Sequence, residues 1–184
     1  GTRPTLFECN ANTLTLSGCW IVESVSGSGI GYRIATVAGS GKLDFTSVII
    51  SGINFRSTCV VELKESLTAS CLLALCEWTG ISSSIANQGL VVVGKGTSVT
   101  ATECVFANCD VPSGCVVSVN EAKKIELTTT TFADIERATG NGGCLSFVYG
   151  VVASASITIT GCTFTNCSVS GEESNGGGAI YASF

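Results

Sequence analysis

Apolar residues in this chain fall two apart, step to three, and fall two apart again, over short segments rich in Val, Ile and Thr. Within 99–110 these positions are Val99, Ala101, Cys104 and Phe106; within 125–136 they are Ile125, Leu127, Thr130 and Phe132; within 157–168 they are Ile157, Ile159, Cys162 and Phe164. Alternation with period two predicts short strands with one buried face, because successive strand side chains point to opposite sides. The step of three predicts a corner, and Gly18, Gly52 and Gly161 stand at that step in three copies. A helix would need apolar residues three and four apart, and these β-branched segments lack that spacing.

The same template extends upstream through Leu14, Leu16, Cys19 and Ile21, through Val48, Ile50, Ile53 and Phe55, and through Leu67, Ala69, Leu72 and Ala74. Six copies end at positions 21, 55, 74, 106, 132 and 164, giving steps of 34, 19, 32, 26 and 32 residues, so the variation is expected in loops. Those loops are 22–31, 79–88, 136–142 and 168–177, all on one side. A second landmark, Gly114-Cys115-Val116, Gly143-Cys144-Leu145 and Gly178-Ala179-Ile180, with Gly89-Leu90-Val91 as a looser copy, marks re-entry into the next strand. A strand–corner–strand unit cannot bury its apolar face alone, whereas stacked units can, at about 4.8 Å per coil. The expected fold is therefore all-β, a right-handed parallel β-helix (β-solenoid) of about six coils. It is read as one domain over 1–184 and as a segment of a longer repeat protein. Phe55, Phe106, Phe132 and Phe164 are expected to stack coil upon coil, Cys104 and Cys162 to occupy matching places, and Cys115 and Cys144 to lie on adjacent coils. Asn108, Asp134 and Asn166, each two residues past a Phe, form a turn ladder, where a short amide or carboxylate tolerates left-handed backbone.

Cys162-Thr163-Phe164-Thr165-Asn166-Cys167 followed by Gly176-Gly177-Gly178-Ala179-Ile180-Tyr181 resembles the paired Phe-Asn and Gly-Gly-Ala-Ile motifs of the polymorphic membrane protein repeats. Those repeats belong to bacterial surface adhesins and similar large proteins of protists. The resemblance implies a surface-exposed β-helical stalk or adhesin segment.

Composition narrows the function classes. With 45% hydrophobic and 12% charged residues the chain is built to fold rather than to remain disordered. Its net charge of -5 sets nucleic acid and anionic membrane surfaces aside as partners, since both need a basic face. The longest uncharged stretch, 138–171, is broken by Ser, Thr, Asn and Gly and is no membrane span. Eleven Cys suit an oxidising compartment, so an extracellular or cell-surface location is expected. Without any His, neither a zinc site nor a Ser-His or Cys-His nucleophile is expected, and no cofactor is implied. Most Cys read as small buried apolar residues, with a few bridges near turns. Cys71 and Cys76 join the spaced pairs Cys104/Cys109 and Cys162/Cys167 if Leu73 takes the Phe place.

The outward positions, Thr15 and Ser17, Ile49 and Ser51, Thr68 and Ser70, Thr100 and Thr102, Glu126 and Thr128, and Thr158 and Thr160, approach a Thr-x-Thr array and make an ice-binding solenoid an alternative. A polysaccharide-active β-helix enzyme is another; it would need clustered carboxylates, whereas Asp44, Asp110 and Asp134 are isolated and Glu172-Glu173 lies in a Gly-rich loop. The leading expectation is a non-enzymatic structural or adhesive solenoid whose partners are further coils, other copies of itself, or surface glycans.

Overall fold

The computed structural model describes residues 4–22, 29–56, 58–84, 88–150, 155–170 and 177–184. Glu172, Glu173 and Gly176 lie outside the described residues. Three parallel sheets wind around one lumen. Face one has seven strands: Thr5–Cys9, Arg33–Val37, Val61–Leu63, Gly89–Val93, Cys115–Asn120, Leu145–Val148 and Ile180–Ser183. Face two has six: Thr13–Ser17, Lys42–Thr46, Ser70–Ala74, Ser98–Thr102, Lys124–Thr128 and Ser156–Thr160. Face three has six: Trp20–Val22, Ile49–Ser51, Glu77–Thr79, Val105–Ala107, Thr131–Arg137 and Thr163–Val169. Each strand pairs in parallel with its counterparts one coil before and after, and the described residues contain no helix, so the chain is a parallel β-solenoid.

Two corners per coil are made by one residue each. Between faces two and three the backbone turns at Gly18, Ser47, Leu75, Glu103, Thr129 and Gly161; after face three it turns at Gly52, Gly80, Asn108, Asp134 and Asn166, all with positive φ between 50° and 65°. A left-handed residue swings the chain without breaking the inward–outward alternation beyond it. The inward positions therefore run two, three, two, three, as in Val99, Ala101, Cys104, Phe106 and Cys109, each at most 2% exposed.

The register corrects two upstream copies. Ile21, Ile50, Trp78, Phe106, Phe132 and Phe164 form one inward ladder, spaced by 29, 28, 28, 26 and 32 residues. The second copy is Leu43, Phe45, Val48 and Ile50, not Val48, Ile50, Ile53 and Phe55. The third is Cys71, Leu73, Cys76 and Trp78, not Leu67, Ala69, Leu72 and Ala74. Thus Trp78, and not Leu73, takes the Phe place. Phe55 is fully buried but lies outside the Phe ladder, one residue past the bridges that join Asn54, Ser82, Asp110 and Glu136.

The re-entry landmark also shifts. Gly89 pairs with Cys115, and Val117 pairs with Leu145, so Cys115 lies level with Gly143, and Cys144 with Val116. Cys115 and Cys144 sit on neighbouring coils one register position apart. The segments around 22–31, 79–88, 136–142 and 168–177 all connect face three to face one.

Candidate functional site

The recurring residues assemble at the lumen and its corners. Phe106 and Phe132 stack with ring centroids 5.2 Å apart, and Phe132 and Phe164 at 5.0 Å, while Trp78 meets Phe106 edge-on at 5.4 Å. Parallel in-register strands impose this, because identical places on adjacent coils are one strand spacing apart. Trp78 Nε1, fully buried in the lumen, has no acceptor among the described residues.

Past five of the six first-corner residues, and past Asn108 and Asn166 at the second corner, comes an inward side chain with a hydrogen to donate. Cys19, Cys76, Cys104, Thr130 and Cys162 share one ladder, interrupted by Val48. The thiols of Cys76 and Cys104 donate to the carbonyls of Ala74 and Thr102 at 3.4 Å, and the Thr130 hydroxyl donates to Thr128 at 3.1 Å. The same three reach the coil below, to the carbonyls of Phe45, Leu73 and Ala101 at 3.3, 3.4 and 3.5 Å. The second corner repeats the arrangement: Cys109 donates to Ala107 O, and Cys167 to Thr165 O, each at 3.5 Å. A thiol is a small hydrophobe that is also a weak donor, which is what a tight apolar corner beside a carbonyl accommodates. Thr130 takes the place that Cys104 and Cys162 hold in the neighbouring coils and keeps the donor, whereas Val48, Ile53, Ile81 and Ile135 fill equivalent corner places without one. All eleven cysteines are thiols in the structure. Thr130 separates Cys104 from Cys162 by two coils, too far for a bridge.

Burial raises most of the buried thiols, whereas the hydrogen bond with Cys104 lowers Cys76 to about 7. Desolvation pushes Cys109 up to about 11 and Cys115 up to about 12, the latter opposed by the Arg137 guanidinium. Desolvation likewise holds Cys71 and Cys144 well above the ordinary thiol value. Cys104 is raised first by its hydrogen bond with Cys76 and then by burial. Thiols held in the protonated form are poor nucleophiles.

Asn108, Asp134 and Asn166 occupy the second corner with φ of 51° to 52°, continuing Gly52 and Gly80, and Asn166 Nδ2 donates to Asp134 Oδ1 at 2.8 Å. These are the residue types that adopt left-handed backbone at least cost.

Arg137 went unnoticed in the sequence, since a charge next to a loop reads as solvated. It points inward, 5% exposed, and its guanidinium donates to the carbonyls of Thr139, Asn141, Gly142 and Ser113. It thereby pins the connection 138–143 against the solenoid.

Outward, face two presents Thr15, Asp44, Leu72, Thr100, Glu126 and Thr158 in one row, beside a parallel row of Ser17, Thr46, Ala74, Thr102, Thr128 and Thr160. Ile49 and Ser51 instead belong to face three, Thr68 precedes the face-two strand, and Ser70 begins it. A shallow depression of about 410 Å³ beside the second corner is lined by Asn54, Arg56, Ser82, Ser84, Asp110 and Pro112. It offers amide, hydroxyl and charged groups to a polar ligand. Among the described residues no three His, Cys, Asp or Glu side chains are arranged to hold a metal ion, and no helix is long and apolar enough to cross a membrane. No family model matches the chain, and no curated protein or solved structure shows significant similarity to it.

Proposed function

We propose that this chain is a non-enzymatic structural or adhesive β-solenoid of the cell surface, a stalk segment of the kind its resemblance to polymorphic membrane protein repeats implies. The observation that supports this most is where the repeated residues go. The Phe, Cys and Asn/Asp positions that define the repeat all serve the lumen and corners, so selection for the repeat is selection for coil-to-coil stacking. What differs between coils is the outward surface and the connections on either side of face one. That is the economy of a scaffold that displays a surface along its length.

Stacking also supplies the partner. Lumen residues of the first and last coils, Leu14, Leu16, Ile21, Ile157, Ile159 and Phe164, are only half-buried, while their counterparts between are closed from solvent. In this reading a further coil, from the same chain or another copy, is what would cover them. Surface glycans are the expected contact of the polar depression around Asn54, Ser82 and Asp110.

The test is to display the protein in its native setting and measure surface location by antibody accessibility and glycan binding on an array. Surface exposure together with saturable glycan binding, or filaments seen by electron microscopy, supports the reading. Polysaccharide cleavage, or thermal hysteresis on freezing, overturns it in favour of an enzyme or an ice-binding solenoid.

A further inference from the structure

Four of the eleven thiols gather at a single corner of the solenoid, where face three hands over to face one. Cys109 and Cys167 lie in the inward ladder just past the second corner, with Ile135 between them. Cys115 and Cys144 lie at the start of face one on adjacent coils. The electrostatics of Cys144 register all three of the others, Cys167 most strongly.

The backbone explains the closeness. Gly143 N donates to Gly178 O at 2.8 Å and Cys144 N to Ala179 O at 2.9 Å. A Cβ placed on Gly143 would meet Ser168 O at 2.8 Å, and one on Gly178 would meet Cys167 O at 3.6 Å. Gly143 therefore lets its strand lie directly against Ser168, next to Cys167, while Gly178 stands at ordinary contact distance from Cys167 O. Cys144 is fully buried and Cys167 half-buried, with the Cys167 thiol 3.4 Å from Phe132 O.

We propose that Cys144 and Cys167 are the residues of this chain that oxidise to a disulfide, converting the segment 145–166 into a covalent ring around the solenoid's last described coil. The inference needs only an oxidising medium and stands apart from the adhesive reading.

A competing pair, Cys76 and Cys104, also has interacting thiols but sits on adjacent rungs of one ladder. Their spacing is fixed by the backbone bond from Val105 N to Cys76 O at 2.8 Å and by the paired strands on either side. Stacked parallel strands hold equivalent Cβ atoms at about 4.8 Å, beyond the Cβ separation of about 3.8 Å that a relaxed disulfide takes. Cys144 and Cys167 come from different ladders, so the strand spacing that holds Cys76 and Cys104 apart does not apply to them.

The oxidant is a small-molecule disulfide such as oxidised glutathione. The more accessible Cys167, as thiolate, attacks one sulfur, the glutathione S–S bond breaks, and one glutathione leaves as thiolate. Cys144 then loses its proton to solvent and attacks Cys167 Sγ of the mixed disulfide, releasing the second glutathione. Two protein thiols are oxidised and one glutathione disulfide is reduced, and the protons given up by Cys167 and Cys144 end on the two departing glutathione thiolates, so none is released overall.

The experiment incubates the intact protein in a glutathione redox buffer, blocks remaining thiols by alkylation, and maps peptides by mass spectrometry without reduction. No Lys or Arg follows Arg137, so trypsin leaves Cys144, Cys162 and Cys167 on one peptide spanning 138–184. The expected result is that this peptide loses two hydrogens and carries one alkyl group, on Cys162, with chymotryptic cleavage assigning the crosslink to Cys144 and Cys167. Cys144→Ser and Cys167→Ser should each restore alkylation of the other partner, and Cys162→Ser should leave the crosslink in place. Three alkyl groups on the peptide, or a crosslink that uses Cys162, Cys109 or Cys115, overturns the assignment. Should a serine variant fail to fold, the map of the unmutated protein alone decides.

Discussion

Replacing Phe132 by Ala removes the middle ring of the aromatic stack. Phe132 is fully buried and is sandwiched by Phe106 at 5.2 Å and Phe164 at 5.0 Å. A buried Phe→Ala change costs about 3–5 kcal/mol through lost transfer energy and the cavity left behind. Each aromatic pair adds roughly 0.5–1.5 kcal/mol beyond burial. The strands on both sides are tied into hydrogen-bonded ladders and cannot collapse into the hole, so the upper end of the range applies and about 5 kcal/mol is expected. Phe164→Ala is the internal control. Phe164 has one aromatic partner and is half-buried, so about 2 kcal/mol is expected there by the same reasoning. Urea denaturation followed by far-UV circular dichroism measures both. A Phe106/Phe132 double-mutant cycle isolates the ring–ring contribution, expected at about 1 kcal/mol. Equal losses for Phe132→Ala and Phe164→Ala, or a cycle that closes to zero, would refute the stack as a source of coil-to-coil stability.

Four further outcomes follow from the corners and the lumen. Asn108→Gly should be near neutral and Asn108→Val should cost about 1–2 kcal/mol, because only the former fits a left-handed corner; Leu75→Gly, at φ 54°, should stabilise, and denaturation midpoints check all three. Trp78→Phe should cost less than about 1 kcal/mol, well below an ordinary core truncation, because it removes a buried N–H without an acceptor and extends the aromatic column; a loss above about 3 kcal/mol would contradict this. Cys109 and Cys115 keep their protons to about 11 and about 12 when folded but release them near 9.0 when unfolded. Stability from these groups is complete below pH 9 and is lost as pH rises towards those folded values, at about 1.4 kcal/mol per pH unit per thiol; a Cys109→Ala/Cys115→Ala variant should show a shallower alkaline limb in pH-dependent melting under reducing conditions. Arg137→Ala should expose the connection 138–143 to limited proteolysis, and Arg137→Lys should not rescue it, since an ammonium cannot span the carbonyls of Ser113, Thr139, Asn141 and Gly142.

The solenoid and its last three coils were legible because Phe106, Phe132 and Phe164 mark one ladder without ambiguity. The second and third coils were misaligned for a specific reason. Both single-residue corners leave the same signature, two inward positions, a step of three, then two more, so Leu43-Phe45-Val48-Ile50 and Val48-Ile50-Ile53-Phe55 fit one template equally well. Position alone separates the first corner from the second, and position is known only once coils pair. In the third coil the confusion came from exposed leucines. Leu67 is 81% exposed and Leu72 is 38% exposed, yet both read as core, while Cys71 and Cys76, which fill the inward places, read as a pair of their own. Face one obeys a different rule: Arg33–Val37 and Gly89–Val93 are almost wholly buried, so alternation fades there and the re-entry strand slips by one.

The corrected register changes what the irregularities mean. With steps of 26 to 32 residues the coils are more uniform than the sequence template implied; the corner between faces two and three is constant, and the variation falls in the connections from face three to face one and from face one to face two. The former leave from the corner where Asn108, Asp134 and Asn166 turn the chain, where Arg137 holds the carbonyls of its own loop, and where Cys109, Cys115, Cys144 and Cys167 converge. A one-dimensional stack is held mainly by neighbour-to-neighbour contacts, and the coil-to-coil backbone hydrogen bonds run through both left-handed corners, as from Leu75 N to Thr102 O and from Asn108 N to Ala133 O. The left-handed residues and most of the inward donors stand at those corners and keep the stack in register there. The chemistry that looked like a candidate site therefore serves the stacking of coils, which leaves the outward faces free to diverge as recognition surfaces.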